Sequence, residues 1–106
     1  MTALKEFDRL EATGLWRAAP QEQRREVIVS LGEATLTISD TKGTALAHWS
    51  LAATLRSNGN ALPAIYHPDG DPGETLEIDG DETAMIEGID KLLRVIERRR
   101  PHPGKL

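Results

Sequence analysis

The chain has no cysteine, one phenylalanine, one tyrosine and two tryptophans. Without cysteine there is no disulfide framework and no zinc site built on thiolates, an absence that favours a reducing compartment. Long apolar runs are missing too. Nothing approaches the roughly 18 consecutive apolar residues of a membrane span. The N-terminal MTALKEFDRLEATG is charged throughout, so it lacks the apolar stretch of a secretory signal. No G-x-S-x-G elbow, phosphate-cradling glycine loop or dinucleotide fingerprint is present. Ser30, Ser39, Ser50 and Ser57 all fall within or at the ends of expected strands, away from the sharp turn a nucleophile needs. These absences point away from an enzyme.

What remains is a chain of 106 residues, enough for one core but not two. With 39% hydrophobic and 28% charged residues it has the composition of a folded domain. The formal net charge of −4 hides an asymmetry. Residues 1–80 carry 7 basic and 12 acidic side chains, residues 81–93 carry 1 and 4, and residues 94–106 carry 5 and 1. An acidic body argues against a nucleic-acid binder, which tracks phosphates with a basic face. Positive charge is concentrated in the tail.

Along the chain, TALKEFDRLEAT sets Leu4, Phe7 and Leu10 on one helical face. Gly14 stands where a left-handed residue would stop that helix, with Leu10 and Leu15 as the contacting pair of a Schellman cap. The expectation is a helix over residues 1–14. The period then changes to that of strands. LWRA is followed by a loop broken at Pro20, and RREVIVSL and ATLTISD are joined at Gly32-Glu33, a pair that reads as a type II′ turn. TALAHWSL places Trp49 and Leu51 on an inward face and His48 outward, and ATLRS follows a bend near Leu51. Asn58-Gly59 signals a hairpin into LPAIYH, whose Pro63 fits only an edge or a strand start. ETLEID turns Leu76 and Ile78 inward. From Asp81 the pattern is helical: Met85, Ile86, Ile89, Leu92, Leu93 and Ile96 share one face. Asp79 or Asp81 caps its start, Gly88 costs about 1 kcal/mol in its interior, and Pro101 ends it.

Seven short strands with connections too short for parallel crossovers, then one long amphipathic helix, indicate an α+β domain. ATLTISD with GTALAHWSL, and ETLEID with ETAMIEGIDKLLRVI, resemble the central and closing elements of the pleckstrin-homology-like superfamily. That resemblance implies a split barrel or bent antiparallel sandwich over residues 15–100, plugged by the C-terminal helix, with residues 101–106 as a linker. Other small α+β folds share this order of elements. ATGLWR, RREVIVSLGEATLTISD, ALAHWSL and RRRPHPGKL are also similar to the N-terminal soluble region of a family of uncharacterised bacterial membrane proteins, in which such a segment precedes hydrophobic spans.

Candidate sites are sparse. HPDGDPGETLEIDGDE fails as a calcium loop: counted from Asp69, Gly73, Glu74 and Gly80 stand where an oxygen ligand, a glycine and a bidentate carboxylate are needed. The stretch reads as solvated turns. His48, His67 and His102 lack metal-ligand spacing, and only convergence of His67 with Asp69 or Asp71 would make a weak metal or small-molecule site. No cofactor is implied. Lipid-binding pleckstrin-homology domains carry a spaced basic clamp near the first loop. Here Arg17, Arg24 and Arg25 lack that spacing, and Glu22 and Glu26 offset them. Trp16, beside Arg17, marks an interaction surface if exposed. Arg98, Arg99, Arg100 and Lys105 complement a helix C-terminus or lie just cytoplasmic of a membrane span, on an anionic surface. The functional expectation is a non-catalytic cytoplasmic interaction module at the inner membrane face, docking a protein partner or its own membrane-embedded portion. The alternatives are a freestanding dimerising domain and a weak metal or small-molecule binder.

Overall fold

Period-2 alternation decides which side each strand buries, and in this chain it holds in nearly every strand. The computed structural model describes residues 10–99. They form β1 (Leu10–Arg17), β2 (Arg25–Leu31), β3 (Thr35–Ser39), β4 (Ala45–Ser50), a 3-10 turn (Leu51–Ala53), β5 (Thr54–Arg56), β6 (Ala64–Pro68), β7 (Thr75–Ile78) and α1 (Thr83–Arg99). Ala12 and Trp16 on β1, Val27 and Val29 on β2, Leu36 and Ile38 on β3, and Leu76 and Ile78 on β7 all point inward.

The strands make one antiparallel sheet in the order β4-β3-β2-β1-β7-β6-β5. Its two end strands, β4 and β5, are consecutive in sequence and joined only by Leu51–Ala53. The sheet therefore curls until its ends nearly meet, giving a near-closed barrel. At that corner the buried Thr54 donates its hydroxyl to the Ser50 carbonyl at 2.6 Å. α1 lies across the opening. Met85, Ile86 and Ile89 enter the core, while Leu92, Leu93 and Ile96 pack at its edge. Burying each of the first three contributes about 1.5–3 kcal/mol, which outweighs the propensity cost of Gly88. Gly88 has a packing reason as well: a Cβ there would come within 2.9 Å of Leu31 Cδ2.

The seven expected strands and the long helix are all present. Two local expectations are overturned. Leu10 to Gly14 do not end a helix but begin β1, with Leu10 opposite Leu31 and Gly14 opposite Val27. Gly14 is needed for space, not for handedness. A Cβ would sit 3.1 Å from the Glu77 carbonyl oxygen, 3.2 Å from Val29 Cγ2 and 3.3 Å from Leu76 Cδ1. The rest of the expected N-terminal helix, residues 1–9, lies outside the described residues. Gly32 also departs from expectation, since its φ is not positive and the turn is not type II′. Its N–H donates to the Thr35 carbonyl, closing a wider loop.

The Asn58-Gly59 hairpin forms, but with a longer loop than the dipeptide signals. Gly59 takes φ +65°, while the Asn58 side chain donates to the Pro63 carbonyl and accepts from Ile65 N–H. Pro63 precedes β6, as a strand start requires, and its peptide bond with Leu62 is cis. Asp79 organises the entry to α1: its carboxylate accepts from Asp81 N–H and its carbonyl from Glu82 N–H.

Candidate functional site

The register of four strands places a graded surface on the outside of the barrel. Leu15 pairs with both Glu26 and Glu77, and Glu77 pairs with Ile65, so these four side chains form one outward row across β2, β1, β7 and β6. Arg17 pairs with Thr75 in the next row. Two adjoining clefts cover this face. A groove of about 280 Å³ is lined by Thr13, Gly14, Leu15, Glu26, Pro63, Glu77 and Asp79. Its neighbour, about 180 Å³, is lined by Arg17, Arg24, Ile65, Thr75 and Glu77. Glu77 is the shared wall. Arg24 fixes it there, donating from one guanidinium nitrogen to its two oxygens at 3.0 and 3.1 Å. The groove has apolar area in Leu15 and Pro63 and a polar rim in Thr13, Glu26, Glu77 and Asp79, with Leu15 40% and nearby Leu62 62% exposed.

On the inner side of the barrel, Trp16 of β1 and Trp49 of β4 each donate an indole N–H to Glu74 Oε2 at 2.9 Å. Trp16 is only 8% exposed, so the condition for reading it as a contact surface is not met. Glu74, expected among solvated turn residues, instead satisfies both buried indoles. Arg17 beside it is half-buried and lines the smaller cleft, and its Nε is buried without a hydrogen-bond partner among the described residues.

A second polar cluster joins α1 to the sheet. Asp90 accepts from Tyr66 Oη at 2.9 Å and from Arg56 at 2.5 Å, and Arg56 lies 5.9 Å over the Tyr66 ring. Burial, reinforced by the Asp90 carboxylate, pushes the Tyr66 hydroxyl well above its ordinary pKa, with Arg56 opposing. Tyr66 thus stays protonated as a donor. One sequence signal for this cluster exists: Asp90 falls four residues after Ile86, on the apolar side of the helix, where a carboxylate needs a partner. Beside it, Leu51, Thr54, Leu55, Arg56, Leu93, Ile96 and Glu97 line a third cleft of about 200 Å³ between β5 and α1.

The other sequence candidates are dispersed. Arg98 and Arg99 are exposed at the end of α1, whereas Arg100, Lys105 and the expected linker over residues 101–106 lie outside the described residues. His67 is turned to its own strand, with Nδ1 2.8 Å from the Pro68 carbonyl oxygen. His48 is exposed beside Thr37. Among the described residues no three His, Asp or Glu side chains converge as metal ligands, and no helix is long and apolar enough to cross a membrane.

No protein-family model and no curated protein matches the sequence. Solved structures do match. A solution structure of a pleckstrin homology domain superposes with a TM-score of 0.65 over 90% of this chain and 94% of that one, at 13% identity. The fold is pleckstrin-homology-like. A structure of Vav1 inhibited by an allosteric inhibitor matches with a TM-score of 0.57 and 9% identity, over 85% of this chain and 28% of the other. At such identities the likeness carries the architecture, so function has to be argued from this pleckstrin-homology-like domain's own residues.

Proposed function

We infer that this domain is a non-catalytic interaction module that docks a protein partner or the membrane-embedded portion of its own polypeptide, with the end of α1 turned to the cytoplasmic membrane surface. The observation that supports docking to protein is the commitment of two barrel cations beside an acidic, partly apolar groove. Arg24 is held by Glu77 and Arg56 by Asp90, while Glu26 and Asp79 line the larger groove beside exposed Leu15. A phosphorylated headgroup would meet paired arginines and carboxylates, whereas a polypeptide finds apolar area with a polar rim.

Placement at the membrane is supported by Arg98 and Arg99, which stand exposed at the end of α1, ahead of Arg100 and Lys105 in the sequence. Each basic residue near an anionic leaflet contributes on the order of 1 kcal/mol. Dimerisation through a sheet edge is the weaker reading. β5 is three residues long and the β3–β4 ladder shifts register at Ile38/Ser39, both of which blunt an edge. The test is the coding sequence after Leu106: an apolar run of about 20 residues is expected, and a stop codon there removes the membrane placement.

A further inference from the structure

The two outer clefts differ in charge along one direction. Down β1 from Thr13 to Arg17 the outer surface passes from Asp79, through the row in which Glu26 flanks Leu15 and Ile65, to Arg17. Glu77 lies in that middle row and is neutralised by Arg24. What is left is a negative end, an apolar middle and a positive end. Four residues of strand at about 3.3 Å each set the ends roughly 13 Å apart, the length of a short extended peptide.

We propose that this face binds an extended partner segment carrying a basic side chain and, four residues away, an acidic one, with an apolar side chain between them. The basic group sits by Asp79 at the Thr13 end, the apolar one lies on Leu15 and Ile65 beside Glu26, and the carboxylate reaches Arg17. Two observations point to this occupant. Opposite charges at the two ends select a segment of matching polarity and reject uniformly charged ones. Arg17, half-buried in the wall of the smaller cleft, is a cation that no carboxylate holds among the described residues. The proposal rests on the docking-module reading and names the partner's chemistry.

The test is an NMR titration of the isotope-labelled full chain with three blocked pentapeptides: acetyl-Lys-Thr-Val-Thr-Glu-amide, and versions with lysine or glutamate at both ends. The mixed-charge peptide is expected to shift the Leu15, Glu26 and Glu77 amides and Arg17 Nε–H, and to bind roughly fivefold tighter than either uniform peptide. Arg17→Glu should invert the preference, making the doubly basic peptide tightest. If that variant loses the native amide spectrum, Arg17→Gln should bring the mixed peptide level with the doubly basic one. Equal affinities for all three peptides, an unchanged preference in the Arg17 variants, or no shift on this face at millimolar peptide would overturn the proposal. Shifts confined to the β5–α1 cleft would also sink it while leaving the docking module standing, which is lost only by its own test.

Discussion

Trp16 and Trp49, the protein's only tryptophans, donate to the same oxygen of Glu74, each at 2.9 Å. Trp16 lies on a central strand and Trp49 on an end strand, so one carboxylate from the loop before β7 ties together distant parts of the sheet. An unmet buried donor costs about 1–3 kcal/mol. Glu74→Ala leaves two, and about 2–4 kcal/mol of stability should be lost, read from urea unfolding followed by tryptophan fluorescence. Glu74→Gln keeps an acceptor oxygen and should lose about half as much. Equal stability of all three proteins would show that the shared bond is energetically idle.

Tyr66 gives a pH dependence of known sign. Its folded pKa is raised above the ordinary value of about 10. The unfolded chain therefore releases this proton first as pH rises. The stability contributed by the neutral hydroxyl is fully present below pH ~10 and declines above it, towards the folded pKa. As the only tyrosine, its titration is visible directly in absorbance. Tyr66→Phe should cost about 1 kcal/mol at neutral pH and flatten the fall in urea midpoint above pH ~10. An unchanged alkaline slope in the variant would contradict this.

Arg56 and Asp90 have side chains only 11% and 21% exposed. Removing the cation leaves a largely buried carboxylate with Tyr66 as its remaining partner, a loss of about 2–3 kcal/mol for Arg56→Met after allowance for partial solvation. Tyr66→Phe on top of Arg56→Met should cost more or less than the sum of the single changes by at least about 0.5 kcal/mol, because both act on Asp90. Strict additivity in urea unfolding would argue against a shared network.

The glycines offer a comparison that separates space from propensity. Gly14→Ala forces a methyl against a carbonyl and two core side chains, and should destabilise by about 1–3 kcal/mol. Gly88→Ala meets only the ends of Leu31 and Leu10 and gains about 1 kcal/mol of helix propensity. It should be the milder change by thermal unfolding. The reverse ranking would mean that β1 is not held tightly between β2 and β7.

Much of this architecture could be read from the sequence because burial follows local period. Leu36 and Ile38, Leu76 and Ile78, and Met85, Ile86 and Ile89 occupy their expected faces. The errors arose where spacing is ambiguous. Leu4, Phe7 and Leu10 fit a helical face, yet Leu10 belongs to β1, and Gly14 matches a helix stop as well as it matches a crowded strand. Tertiary pairing with Val27 and packing on Leu76 decide between them. The outer site was less legible: Glu74 and Glu77 sit three residues apart in what reads as a turn and a strand, and one turns inward to the indoles while the other holds Arg24. Period 2 puts Glu74 on the side of Leu76 and Glu77 on the other, but nothing local marks the two indoles or Arg24 as their partners. Those pairings exist only once β7 is placed beside β1.

That placement governs how the protein can be made. β1 is synthesised first but lies in the middle of the sheet, with Leu15 opposite Glu77. While the chain emerges from a ribosome, β1 has β2 on one side and a bare row of backbone amides and carbonyls on the other, until β7 arrives. A nascent chain stalled before Thr75 would carry that open seam, and chaperones would be drawn to it.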